Sequence, residues 1–77
     1  MNILKPQVKL TEMREAKGLT QTELAKKAKI SRPLLANIER GYANPSLKTA
    51  DKIAIALSST IDEIFFARKA RKTNKSA

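Results

Sequence analysis

The chain contains no cysteine and no histidine. The first absence excludes a disulfide framework and a thiolate metal site. The second removes the commonest general base and the commonest imidazole ligand. Catalysis would then have to rest on paired carboxylates. The one adjacent acidic pair, Asp62-Glu63, sits where a helix begins, an ordinary place for acids beside the positive end of a helix dipole. No enzyme, no metal and no cofactor is expected. Long apolar runs are missing as well. The longest, 53–57 and 64–67, fall far short of the roughly 20 residues that span a bilayer. The N-terminal residues lack the apolar stretch of a signal peptide. A cytoplasmic protein with no membrane partner is the expectation, and nothing in the pattern suggests a small-molecule ligand. No segment alternates as a strand does, and nothing repeats. Glycine occurs only twice, at 18 and 41.

What the chain does have is positive charge. Sixteen Lys and Arg stand against seven Asp and Glu, a net +9. Residues 68–77, RKARKTNKSA, hold five of the basic residues and no acid, which leaves eleven against seven in the rest. A basic body with a basic tail points to a polyanion, nucleic acid first. The plain alternative is solubility. Seventy-seven residues suit one small domain. We expect it over 1–67, followed by a basic, disordered tail at 68–77 that either tracks phosphates or is merely solvated.

The organising stretch is 19–41, LTQTELAKKAKISRPLLANIERG. Thr20 and Glu23 have the spacing of a capping box. Leu24, Ala25 and Ala28 give an apolar face to a helix over 21–28. Ile30 plugs a turn. Ser31 caps a further helix over 32–40, with Leu35 and Ile38 inward and Arg32, Leu34, Ala36, Asn37 and Arg40 off that stripe. Pro33 falls in its first turn, where the backbone N–H has no intrahelical partner. Gly41 ends it in a left-handed position. Around this pair, a first helix is expected over 6–17, with Pro6 in its first turn, Leu10 and Met13 inward, and Gly18 as its stop. Val8 joins that core or packs at its edge. A loop at 42–45 leads to Ser46, which caps a fourth helix with Leu47, Ala50, Ile53, Ala54 and Leu57 as its buried stripe. Ser58-Ser59 breaks it. Thr60 and Glu63 have capping-box spacing again, and a fifth helix turns Ile64 and Phe65 inward. The result is an all-α chain.

At these residues the chain resembles the Xre/Cro-type helix-turn-helix repressors of bacteria and their phages. The resemblance covers about 8–66 and rests on LTEMREAKGLTQTELAKKAKIS, IERG, NPSLKTADKIAIAL and IDEIFF, with GLTQ-x-ELA and IERG-x-x-NPS as its most specific parts. It implies a compact five-helix bundle of the lambda-repressor-like type. It also implies a transcription regulator, a repressor by preference. Such a protein binds double-stranded DNA as a homodimer, with helix 3 in the major groove of two-fold-related half-sites. Arg32, Pro33, Leu34 and Asn37 would then face the bases. Arg32 can donate two bonds to guanine, or one to a phosphate; Asn37 can pair with adenine or with a phosphate. Pro33 and Leu34 offer only apolar contact with a thymine methyl, and half-buried packing is the alternative for Leu34. Thr20, Gln21, Ser31, Arg40, Tyr42 and Asn44 would lie along the phosphate backbone. Arg14 and Glu39 match the family's interhelical ion pair. Ile55, Ile61 and Phe66 are candidates for a dimer surface.

Three positions depart from the family pattern. Lys29 stands where a turn glycine is usual, Pro33 where a polar reader is common, and Ser58-Ser59 where glycine and an apolar residue are usual. The alternative function is a regulator whose output is a protein partner: the controller of a restriction–modification operon, or an antitoxin. With only ten mostly polar residues beyond 67, the antitoxin is the weaker of these two.

Overall fold

The computed structural model describes residues 6–66. The expected basic tail lies outside them. Five helices follow one another: α1 (Val8–Ala16), α2 (Gln21–Ala28), α3 (Arg32–Arg40), α4 (Leu47–Ala56) and α5 (Ile61–Phe65). No strand occurs among the described residues. α2 is the hub and packs on α3 and α4; α1 closes against α3 and α5, and α5 also packs on α4. Leu10, Leu24, Leu35, Ile38, Ile53, Leu57 and Ile64 are fully buried where these helices meet. Each such aliphatic side chain contributes roughly 1.5–3 kcal/mol on leaving water.

The helix starts are set by local hydrogen bonds. Thr20 accepts from the Glu23 N–H at 3.1 Å, and Glu23 Oε1 accepts from the Thr20 N–H at 2.8 Å, a complete capping box. Ser31 accepts from the Leu34 N–H at 3.2 Å, and Ser46 from the Thr49 N–H at 3.1 Å. At α5 the box is only half made. Thr60 accepts from the Glu63 N–H at 3.1 Å, but the Glu63 carboxylate accepts from the Ser59 hydroxyl at 2.7 Å instead of returning to the Thr60 backbone. A nearby hydroxyl competes for the same carboxylate, so the expected second capping box is corrected to a single cap.

The first four helices all stop by one device. The first or second residue after the helix end turns left-handed, and the next N–H reaches five residues back. The pairs are Gly18 to Glu15 with Leu19 to Arg14, Lys29 to Lys26 with Ile30 to Ala25, Gly41 to Ile38 with Tyr42 to Asn37, and Ser58 to Ile55 with Ser59 to Ala54. This is the Schellman arrangement. Its left-handed residues have φ of 71° at Gly18, 59° at Lys29, 84° at Gly41 and 55° at Ser58. Two of the four are not glycine, and an L side chain there costs about 1–2 kcal/mol. Lys29→Gly should therefore raise the melting temperature by several degrees, on the scale of about 4–8 °C per kcal/mol for a domain of this size. An unchanged or lower melting temperature would show that the turn carries no such strain.

Five other expectations are corrected. Pro6 is not in the first turn: α1 begins at Val8 with Gln7 as its N-cap, so Pro6 lies ahead of the helix. Val8 is exposed, and Met13 is only partly buried against the core. Leu47 is 69% exposed and does not extend the α4 stripe, although Ala50, Ile53, Ala54 and Leu57 are buried as expected. It is the first residue of α4, and helical side chains lean toward the N-terminus, so it overhangs the helix start. The buried residue at that corner is Pro45. Ala36, expected off the inner stripe, is 4% exposed. α3 is covered by both α1 and α2, so it buries a wider arc than a helix with one neighbour.

Candidate nucleic-acid interface

The α2–turn–α3 unit is held from behind by one carboxylate. Glu39 projects from the inner side of α3 and is buried. Its Oε2 accepts from Arg14 Nε at 2.8 Å. Its Oε1 accepts from Thr11 Oγ1 at 3.1 Å, from Gln21 Nε2 at 3.1 Å and from Arg14 Nη2 at 3.3 Å. Arg14 Nη1 donates onward to the Leu19 carbonyl at 2.7 Å, and the Glu39 carbonyl accepts from the Gln7 N–H at 2.9 Å. Side chains of α1 and α2 thus converge on one residue of α3. Charge-assisted hydrogen bonds of this kind are short and directional, which suits them to setting the angle between helices.

Arg14 and Glu39 are visible in the sequence as a pair through the family pattern. Thr11 and Gln21 as their companions are not. The available signal for Thr11 is its i, i+3 relation to Arg14, which puts both on one side of α1. Gln21 is the first residue of α2 and has its amide nitrogen committed to Glu39.

With Leu35, Ala36, Ile38 and Glu39 turned inward, the opposite side of α3 is left to solvent. Pro33, Asn37 and Arg40 follow i, i+4, i+7 spacing along it, and Arg32 stands at the helix start. All four are exposed. Leu34 is partly buried and packs against the core. Thr20 and Ser31 are exposed at the starts of α2 and α3 with their oxygens engaged in capping. Tyr42 and Asn44 are exposed in the loop that leaves α3.

Charge is concentrated on this part of the chain. Residues 26–48 contain Lys26, Lys27, Lys29, Arg32, Arg40 and Lys48, all exposed, against one acid, the buried Glu39. Residues 49–66 reverse the balance, with Asp51, Asp62 and Glu63 against Lys52. The basic residues therefore gather on α2, α3 and the first turn of α4, and the remainder of α4 together with α5 is slightly acidic. An uneven field of this kind orients a polyanion toward one side of the molecule. Ile55 is 69% exposed on α4, and Ile61 and Phe66 are half-buried against the core on or next to α5. Among the described residues there is no cluster of acids with metal-binding spacing, and no helix is long and apolar enough to cross a membrane.

Known proteins share this arrangement. A family model described as helix-turn-helix matches residues 10–64. An uncharacterized HTH-type transcriptional regulator from Archaeoglobus fulgidus is 40% identical over 57 residues, 74% of this chain and 81% of that protein. The immunity repressor protein of Bacillus phage phi105 is 43% identical over 56 residues, 73% of this chain but 39% of the repressor. Among solved structures, the restriction-modification controller protein C.AhdI from Aeromonas hydrophila is similar with a TM-score of 0.76 at 38% identity, covering 82% of this chain and 96% of that one. With the fold, the exposed basic helix and these relatives in agreement, the chain belongs to the helix-turn-helix family of Xre/Cro-like DNA-binding transcriptional regulators.

Proposed function

We propose that the chain regulates transcription in the cytoplasm as a homodimer on an operator with two-fold-related half-sites. In this reading α3 enters the major groove and α2 crosses the backbone. The observation that carries it is the division of α3 into an inner side locked by Leu35, Ala36, Ile38 and Glu39 and an exposed side bearing Arg32, Asn37 and Arg40. Arg32 is assigned to guanine O6 and N7, and Asn37 to adenine N6 and N7 or to a phosphate. Pro33 has no polar side-chain atom, so it offers a base only apolar contact. Leu34 can add a thymine contact only with the part of its side chain left outside the core. The starts of α2 and α3, with Thr20, Gln21 and Ser31, are assigned to phosphates together with Arg40 and Asn44, and Tyr42 stands beside Arg40. Exposed Ile55, with Ile61 and Phe66, supplies the subunit contact. No step in this reading requires a cofactor or a catalytic group.

Selection of bound duplexes from a random library tests it. The expected result is an enriched site with two inverted half-sites whose centres lie about one helical turn apart. Enrichment of nothing above random sequence would remove sequence-specific reading. A single half-site would remove the dimer.

The likeness to C.AhdI favours one more specific role. That controller is matched over 96% of its length, so control of a restriction–modification operon is the second reading. Its test is genomic: selected sites lying upstream of paired methyltransferase and endonuclease genes would support it, and sites elsewhere would leave the general regulator.

A further inference from the structure

The ends of α1, α2 and α3 are built alike but filled differently. After the left-handed residue, α1 places Leu19 and α2 places Ile30, each half-buried as a plug against the core. At the corresponding place after α3 stands Tyr42, 73% exposed. The plug there is Ala43, one residue later. The N–H groups of Tyr42 and Ala43 both donate to the Asn37 carbonyl, at 2.8 and 3.2 Å. The tyrosine backbone is therefore tied to α3 while its ring stays outside. Over that ring lies the guanidinium of Arg40, 5.6 Å from the centroid. No carboxylate is within ion-pair distance of Arg40 among the described residues. Tyr42 is also the sole tyrosine of the chain.

We infer that Tyr42 is a positioning residue for DNA phosphate: its ring holds the Arg40 guanidinium in place at the end of α3, so that Arg40 meets a backbone phosphate already ordered. This rests on the DNA-docking reading above. A guanidinium whose face lies over a ring keeps its N–H donors in its own plane, free to bond an anion. A long side chain loses rotamer freedom when it binds, and a stack formed beforehand removes part of that loss. The contribution of Tyr42 comes from the ring and not from its hydroxyl.

Binding of a mixed-sequence duplex at low salt, where phosphate contacts dominate, tests the assignment in wild type, Tyr42→Phe, Tyr42→Leu, Arg40→Ala and the Arg40→Ala/Tyr42→Leu double variant. Tyr42→Leu should weaken binding roughly two- to fivefold, the strength of an exposed cation–π contact expressed as a ratio. Tyr42→Phe should match wild type. In the Arg40→Ala background, Tyr42→Leu should have no further effect. By NMR, ring-current shifts of the Arg40 side-chain protons should be present in wild type and Tyr42→Phe and absent in Tyr42→Leu. Equal losses for the Phe and Leu variants, or full additivity with Arg40→Ala, would overturn the proposal, as would a matching fall in melting temperature for Tyr42→Leu. If wild type binds and Tyr42→Leu binds as well, this proposal alone fails. If wild type binds no duplex at all, the docking reading fails with it.

Discussion

Glu39→Ala should lower the melting temperature by on the order of 15 °C. The Glu39 side chain is 6% exposed and the Arg14 side chain 11%. Removing one partner of a buried pair leaves the other charge without compensation, which costs roughly 3–5 kcal/mol when burial is complete. Arg14 retains its bond to the Leu19 carbonyl, the exposed Glu15 carboxylate 4.0 Å from Nη2 and a little solvent, so the lower end, about 3 kcal/mol, is the working figure. For a domain of this size each kcal/mol moves the midpoint by about 4–8 °C. Thr11 and Gln21 lose their acceptor in the same substitution. Glu39→Gln keeps an acceptor oxygen and most of the volume, so its loss should be smaller. Thermal melting of wild type and the two variants by circular dichroism is the measurement. Coincident curves for wild type and Glu39→Ala would show that the carboxylate does not brace the helices.

Arg32→Ala should do the opposite: weaken operator binding by on the order of 10- to 100-fold, with the melting temperature nearly unchanged. Arg32 is exposed at the first position of α3, and its side chain makes no hydrogen bond or ion pair among the described residues. A bidentate arginine–guanine contact discriminates by about 1–3 kcal/mol. The comparison that matters is between selected and random duplex. If Arg32 reads a base, the variant loses the difference between the two. If it contacts only phosphate, both affinities fall together and the salt dependence becomes shallower by about one phosphate contact. Equal specificity ratios for wild type and variant would move Arg32 from the bases to the backbone.

These opposite expectations reflect which features were legible in the sequence. Helix starts were, because a cap is a bond between residues three apart and needs no knowledge of the rest of the fold: Thr20, Ser31 and Ser46 all cap as their spacing implies. The stops at Gly18 and Gly41 were legible from glycine. That Lys29 and Ser58 adopt the same left-handed backbone was suggested only by the family pattern, because their own propensities argue against it. Features decided by how helices cross were hidden. Periodicity assigned Leu47 to a stripe but could not say that the first side chain of α4 overhangs the helix start. It left Ala36 outside because a single face was assumed, whereas α3 has two neighbours. That Gln21 also bonds Glu39 was hidden, because that bond runs between residues 18 apart and depends on how the helices meet.

The burial of Ala36 limits how the protein can be redesigned. Varying the whole run from 32 to 40 to obtain new sequence preferences would put side chains larger than alanine at position 36, 4% exposed, and most of those clones would fail by overpacking rather than by misreading. A library confined to 32, 33, 37 and 40 touches only exposed positions. It leaves the hydrophobic and ionic supports of the helix untouched, and every surviving clone then reports on recognition alone.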